Sequence, residues 1–167
     1  MAKAQVTHAE CDGVHVLRYS GKVDYMSAPA IRRFLDDLLD RGNVTGLIFD
    51  LSEAEGLDST NLGLLARVHE RATRCKCNGS MIVSQNEDIN CVLRSMGFEQ
   101  IFDIVNDPKA LDTACSDCID AECPSSTDDL RDTMIEAHRA LMRLSEAGRV
   151  QFADVVACLE SEPASQH

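Results

Sequence analysis

The chain has 167 residues, 44% hydrophobic and only 4% aromatic, enough for one ordinary core filled by Leu, Ile, Val and Met, plus an appendage. Its 28 acids outweigh 16 bases for a net charge of −12, which argues against nucleic acid or an anionic membrane as main partner, since both require clustered Lys and Arg. No stretch approaches the roughly 20 apolar residues of a membrane span, and the first eight residues hold no signal core, so a cytoplasmic protein with reduced cysteines is expected.

Residues 4–9 and 14–23 read as strands around the turn Cys11-Asp12-Gly13. A first helix is predicted from near Ser27, with Pro29 in its first turn and Ile31, Phe34, Leu35, Leu38 and Leu39 on its apolar face, ending at Arg41-Gly42-Asn43. The apolar run 47–51 predicts a strand covered on both faces, followed by an acidic loop broken by Gly56. Asp58-Ser59-Thr60 then precedes a helical pattern of Leu62, Leu65, Val68 and Ala72, as at a helix N-terminus. Beyond the turn Asn78-Gly79, a short strand at 81–83 is predicted. A helix on Ile89, Val92, Leu93 and Met96 stops at Gly97, and a strand at 101–105 and a helix at 108–114 follow. This alternation predicts an α/β layer with mostly parallel central strands.

Asp58-Ser59-Thr60-Asn61-Leu62-Gly63 resembles the phosphoacceptor segment of bacterial anti-sigma-factor antagonists of the STAS domain family, whose usual form is Asp-Ser, then Ser or Thr, then Gly-Leu-Gly. Asn61 departs from the usual Gly. Gly21-Lys22-Val23-Asp24 matches the family's strand-to-helix corner, and the resemblance runs from about residue 13 to about residue 105. It implies a STAS-type mixed sheet with packed helices. It also implies that Ser59 is the phosphorylated residue, with Asp24, Asp58, Thr60 and Asn61 on the partner-binding surface and Thr60 as the rival acceptor. The implied partners are an anti-sigma factor with serine-kinase activity and a metal-dependent serine phosphatase. The alternatives are a STAS module in another assembly (phosphatase regulator, signalling scaffold or transport subunit) and a Cys-based metal or redox sensor. No catalytic motif is visible, and Asp58 beside Ser59 lacks an identifiable general base, so a non-enzyme without a cofactor is expected.

Residues 1–113 are assigned to the STAS domain and 114–126 to a small, acidic, Cys-containing linker. Within it Cys115, Cys118 and Cys123 supply one zinc half-site; a second half would need Cys75, Cys77 or His138 to fold back, so no metal is expected. Residues 127–167 are assigned to a C-terminal α-helical hairpin and short tail: Leu130, Met134, Ala137, Leu141 and Leu144 form one stripe, Gly148 breaks it, and Phe152, Val155, Val156 and Leu159 form a second. Helices of this length need cover, supplied by the STAS domain, by a partner, or by a second copy in a homodimer.

Overall fold

The computed structural model describes residues 3–77, 79–107, 117–119 and 126–163. Strands β1 (Gln5–Cys11) and β2 (Val14–Val23) pair antiparallel across a tight turn. Asp12 and Gly13 both adopt positive φ there, 51° and 84°, the twist that a two-residue hairpin demands. β3 (Gly46–Leu57), β4 (Ser80–Val83) and β5 (Asp103–Val105) extend the sheet in parallel from β2. A two-residue strand, β6 (Asp117–Cys118), pairs antiparallel with the free edge of β1, giving the order β5-β4-β3-β2-β1-β6. The segment read as linker thus contributes a strand. The helix expected at 108–114 lies outside the described residues, as do Cys115 and Cys123.

Helices α1 (Ala28–Asp40), α2 (Ser59–Arg74) and α3 (Glu87–Ser95) supply the crossovers. Their apolar faces meet the odd-numbered residues of β3 in one core: Leu47, Phe49 and Leu51 pack with Ile31, Leu35, Leu62, Leu65, Ile89 and Leu93. Alternation along a strand sends the even-numbered residues to the other face. There Val16 and Val83 are buried beside half-buried Ile48, Met81 and Val105, and Arg18 pairs with buried Asp50 at 2.7 Å. Among the described residues the two faces are therefore unequal, rather than both being covered by helices.

The expected acidic loop after residue 51 is absent. β3 runs on to Leu57, and beyond Asp50 it pairs only with β2, with register shifts between Arg18 and Ser20 and between Gly21 and Lys22. Having lost β4 as a neighbour, this ribbon exposes Glu53 and Glu55 to water, which is why it reads as a loop. The strand expected at 101–105 shortens to β5, preceded by a 3-10 turn at Phe98–Gln100.

The two C-terminal helices are α4 (Thr127–Leu144) and α5 (Glu146–Ser161). A single extended residue, Ser145, ends one and caps the other, its Oγ accepting from the Gly148 amide at 3.0 Å. The break is therefore at Ser145, and Gly148 lies inside α5. A Cβ at Gly148 would stand 2.2 Å from the Leu141 carbonyl oxygen, so glycine is there to let α5 approach α4. The hairpin packs on the core of the sheet domain. Ala137, Ala140, Leu141 and Phe152 are buried in the same cluster as the sheet and α2. No helix among the described residues is long and apolar enough to cross a membrane.

Candidate functional site

β3 delivers the chain directly to the start of α2, and Asp58 is the N-cap. Its Oδ1 accepts from the Asn61 amide at 3.0 Å, satisfying one of the N–H groups that a helix start leaves open. The capping oxygen thus comes from the carboxylate rather than from a hydroxyl, so Ser59 is left with a free task at the first helical position. Thr60 and Asn61 point inward and are buried, with Thr60 only 2% exposed. Asn61 Nδ2 donates to Asp58 Oδ1 at 3.0 Å and to the Asp24 carbonyl at 2.9 Å, tying the start of α2 to the β2–α1 corner. Asp24 caps that corner, its Oδ1 accepting from the Met26 amide at 3.0 Å, and Tyr25 and Met26 beside it stand exposed. The structure therefore brings Asp24, Asp58, Ser59, Thr60 and Asn61 together. Asp24 faces water, Asp58 and Ser59 are half-buried, Thr60 is buried, and Asn61 acts as an internal tie.

The Ser59 hydroxyl is not open to solvent on all sides. Its Oγ lies 2.9 Å from His138 Nε2 on α4, while His138 Nδ1 lies 2.6 Å from the Met134 carbonyl. A carbonyl only accepts, so Nδ1 carries the proton; in the neutral ring Nε2 is then an acceptor, and the Ser59 O–H donates to it. The ring is 3% exposed and backed by Phe152 of α5, with centroids 5.1 Å apart. Seventy-nine residues separate the two partners, and a lone histidine without paired spacing gives no warning of the contact. The signal that could have found it is its place on the buried side of α4, next to Ala137.

A serine held by an imidazole suggests a nucleophile and its base. Here the far nitrogen is held by a backbone carbonyl rather than a carboxylate, which leaves a protonated ring without the charge partner of a hydrolase triad. Among the described residues there is no cluster of three metal-ligating side chains. Cys11, Cys75, Cys91 and Cys158 are exposed free thiols, and Cys77 is half-buried.

A family profile for the STAS domain matches residues 5–111, more than half of the chain. The chain belongs to the STAS domain family. The match spans β1 to the residues after β5 and stops before α4. Among curated proteins, the anti-sigma-F factor antagonist RsfB of Mycobacterium tuberculosis is 30% identical over 97 residues, 58% of this chain and 77% of the relative. An anti-sigma factor antagonist from Mycobacterium paratuberculosis shares the fold at a TM-score of 0.56 and 24% identity, over 66% of this chain and 90% of that one. The Bacillus cell-fate determinant SpoIIAA in its phosphorylated form does so at 0.54 and 17%, over 64% of this chain and 96% of that one. These relatives match 58% to 66% of the chain.

Proposed function

We propose that this STAS protein is an anti-sigma-factor antagonist that works by partner switching on Ser59. Unmodified, the Ser59 face binds an anti-sigma factor with serine-kinase activity and so frees a sigma factor. The kinase transfers the γ-phosphoryl group of ATP to Ser59 Oγ, leaving ADP and displacing the hydroxyl proton, and the complex separates. A metal-dependent serine phosphatase hydrolyses the ester and resets the switch. The names of the relatives support the class.

The observation that carries the residue assignment is the division of labour at the start of α2. Asp58 caps the helix, Thr60 is buried, and Ser59 alone offers a hydroxyl not needed for capping. A phosphate adds about −1.5 to −2 charges, and the open N–H groups of a helix start tolerate an anion. The sheet and the helices α1–α3 therefore stay folded on modification. An interface built over the same spot does not, because like charge brought against Asp58 and a partner's acids costs several kcal/mol. Complete switching needs a swing of about 5.5 kcal/mol, much of which one phosphate supplies by bulk and charge together. Exposed Tyr25 and Met26, on the same corner as Asp24, offer the apolar contact that such an interface needs.

Phosphopeptide mapping after incubation with the cognate anti-sigma kinase and ATP tests the assignment. Label is expected on Ser59 and lost in Ser59→Ala, which binds the kinase constitutively, while Ser59→Asp stays folded and binds poorly. Label on Thr60, or undiminished label in Ser59→Ala, overturns it.

A further inference from the structure

The surface assigned to the partner already has an occupant. α4 lies along α2 from its first turn. His138 takes the Ser59 hydroxyl, and Ala137 sits over Gly63 so closely that a Cβ there would stand 2.2 Å from the Ala137 carbonyl oxygen. Ala137, Ala140 and Leu141 complete the apolar contact. Around this small-residue seam runs a ring of charge pairs, with acids of α4 meeting arginines of the STAS helices. Asp129 pairs with Arg32 at 2.9 Å and with Arg33, and Glu136 pairs with Arg67 at 3.1 Å and Arg32 at 3.4 Å. Among the described residues the reverse polarity occurs once, where Arg143 forks onto Glu70. In a chain of net charge −12, these arginines make the α1–α2 face the complement of an acidic helix.

We propose that α4 is a tethered occupant of the α1–α2 docking face, and that the partner protein must displace it to reach Ser59. This rests on the assignment of Ser59 as the partner-facing phosphoacceptor. The competitor has to match what α4 presents: a helix with a small apolar side chain over Gly63, and carboxylates for Arg32, Arg33 and Arg67. Modification obeys the same exclusion. At 2.9 Å the gap between Ser59 Oγ and His138 Nε2 holds a shared proton and nothing more, so a phosphoryl group on Ser59 and the docked hairpin occupy the same space. The hairpin thereby sets a threshold for the switch. Partner affinity is reduced by the fraction of molecules whose hairpin is docked, and phosphorylated chains hold the hairpin away.

Maleimide labelling of the full-length chain carrying Ser59→Cys tests the occlusion without any partner. Peptide mass spectrometry separates residue 59 from the native thiols, and exposed Cys158 serves as internal reference. The residue 59 thiol is expected to react about tenfold or more slowly than Cys158, because only undocked molecules react. Adding Ala137→Arg, which wedges the seam while leaving the sequence of α2 unaltered, removes the difference. If that variant loses cooperative unfolding, the milder Asp129→Asn/Glu136→Gln pair takes its place, with labelling accelerated several-fold at unchanged helix content. Residue 59 reacting as fast as Cys158 from the outset, or equally slowly in every folded variant, overturns the proposal. The anti-sigma kinase should then bind the undocked variant about tenfold more tightly than the unaltered chain; equal affinity overturns the competition. Absence of phosphate on Ser59 both in the unaltered chain and in Ala137→Arg with Ser59 retained overturns the phosphoacceptor assignment instead, and labelling tells the two failures apart because it needs no kinase.

Discussion

Gly63 lies beneath Ala137 with no space for a side chain between α2 and α4: a Cβ at Gly63 would come within 2.2 Å of the Ala137 carbonyl oxygen and 2.8 Å of its Cα. Backbone on the far side of the contact cannot swing away as a side chain would, so Gly63→Ala must separate the helices. Overpacking of this kind costs about 1–3 kcal/mol, partly offset by the better helix propensity of alanine, about 1 kcal/mol. A lowered urea midpoint is expected, with faster amide exchange in α4 before α1. Gly56→Ala is the control, since a Cβ there meets nothing within 4 Å.

Asp58 holds two groups of Asn61, the backbone amide and Nδ2, each at 3.0 Å. Loss of an N-cap costs about 0.5–2 kcal/mol. Asp58→Ala is expected in the upper half of that range, because buried Asn61 keeps only the Asp24 carbonyl as a partner for Nδ2. Asp58→Asn, which retains an accepting oxygen, should recover most of the loss. Equilibrium urea denaturation at unchanged m measures both.

The parts of this molecule legible in its sequence are those written in local pattern. The run at 47–51 marks the central strand, Asp12-Gly13 marks the hairpin, and the Asp58-Ser59 joint marks the start of α2. The extension of β3 through Glu53 and Glu55 was hidden because it has one neighbouring strand and buries only the small Ala54 between two exposed acids, which leaves little apolar signature. Gly148 reads as a helix breaker because a glycine required for close helix approach looks the same in one dimension as a glycine that ends a helix. The stripe on α4 announced a buried face, but the residues most deeply buried include Thr133 and His138, whose polarity conceals them. The Ser59–His138 contact depends on which way α4 lies against α2, and that is set by Gly63 and Ala137 meeting across the fold.

Asp36 on α1 is gripped by Arg67 and Arg71 of α2. Burial opposes its ionisation, but the hydrogen bonds and charges of the two arginines outweigh that and hold the carboxyl below its usual range. The folded value is therefore lower than the unfolded one. The stabilisation is complete above the ordinary carboxylate value of about 4 and is lost as pH falls from there through the lowered value. Thermal unfolding from pH 7 down to about pH 3 should show Asp36→Asn losing stability at neutral pH and losing less of it on acidification than the unaltered chain. Parallel acid curves for the two proteins would contradict the assignment.

Linker composition ahead of α4 predicts a STAS domain that folds without its hairpin, whereas the shared core predicts one cooperative unit. Leu141 of α4 decides between them. It is 1% exposed in the cluster that also holds Phe49, Leu65 and Tyr19. Replacing a buried Leu by Ala costs about 2–5 kcal/mol. If hairpin and domain melt together, that loss reaches the sheet, and Tyr19 reports it. Its phenol on β2 is fully buried, and burial pushes its ionisation well up, so the ring changes environment only when the sheet opens. Tyr25, exposed in the native state, changes little. In Leu141→Ala the far-ultraviolet dichroism should show an early loss as α4 and α5 leave the sheet, while the midpoint followed by tyrosine absorbance moves much less, because a hairpin that a partner can displace must undock from a domain that stays folded. A tyrosine midpoint that falls together with the helix signal in a single transition would mean that hairpin and sheet form one cooperative unit, and that no partner displaces α4 without opening the domain.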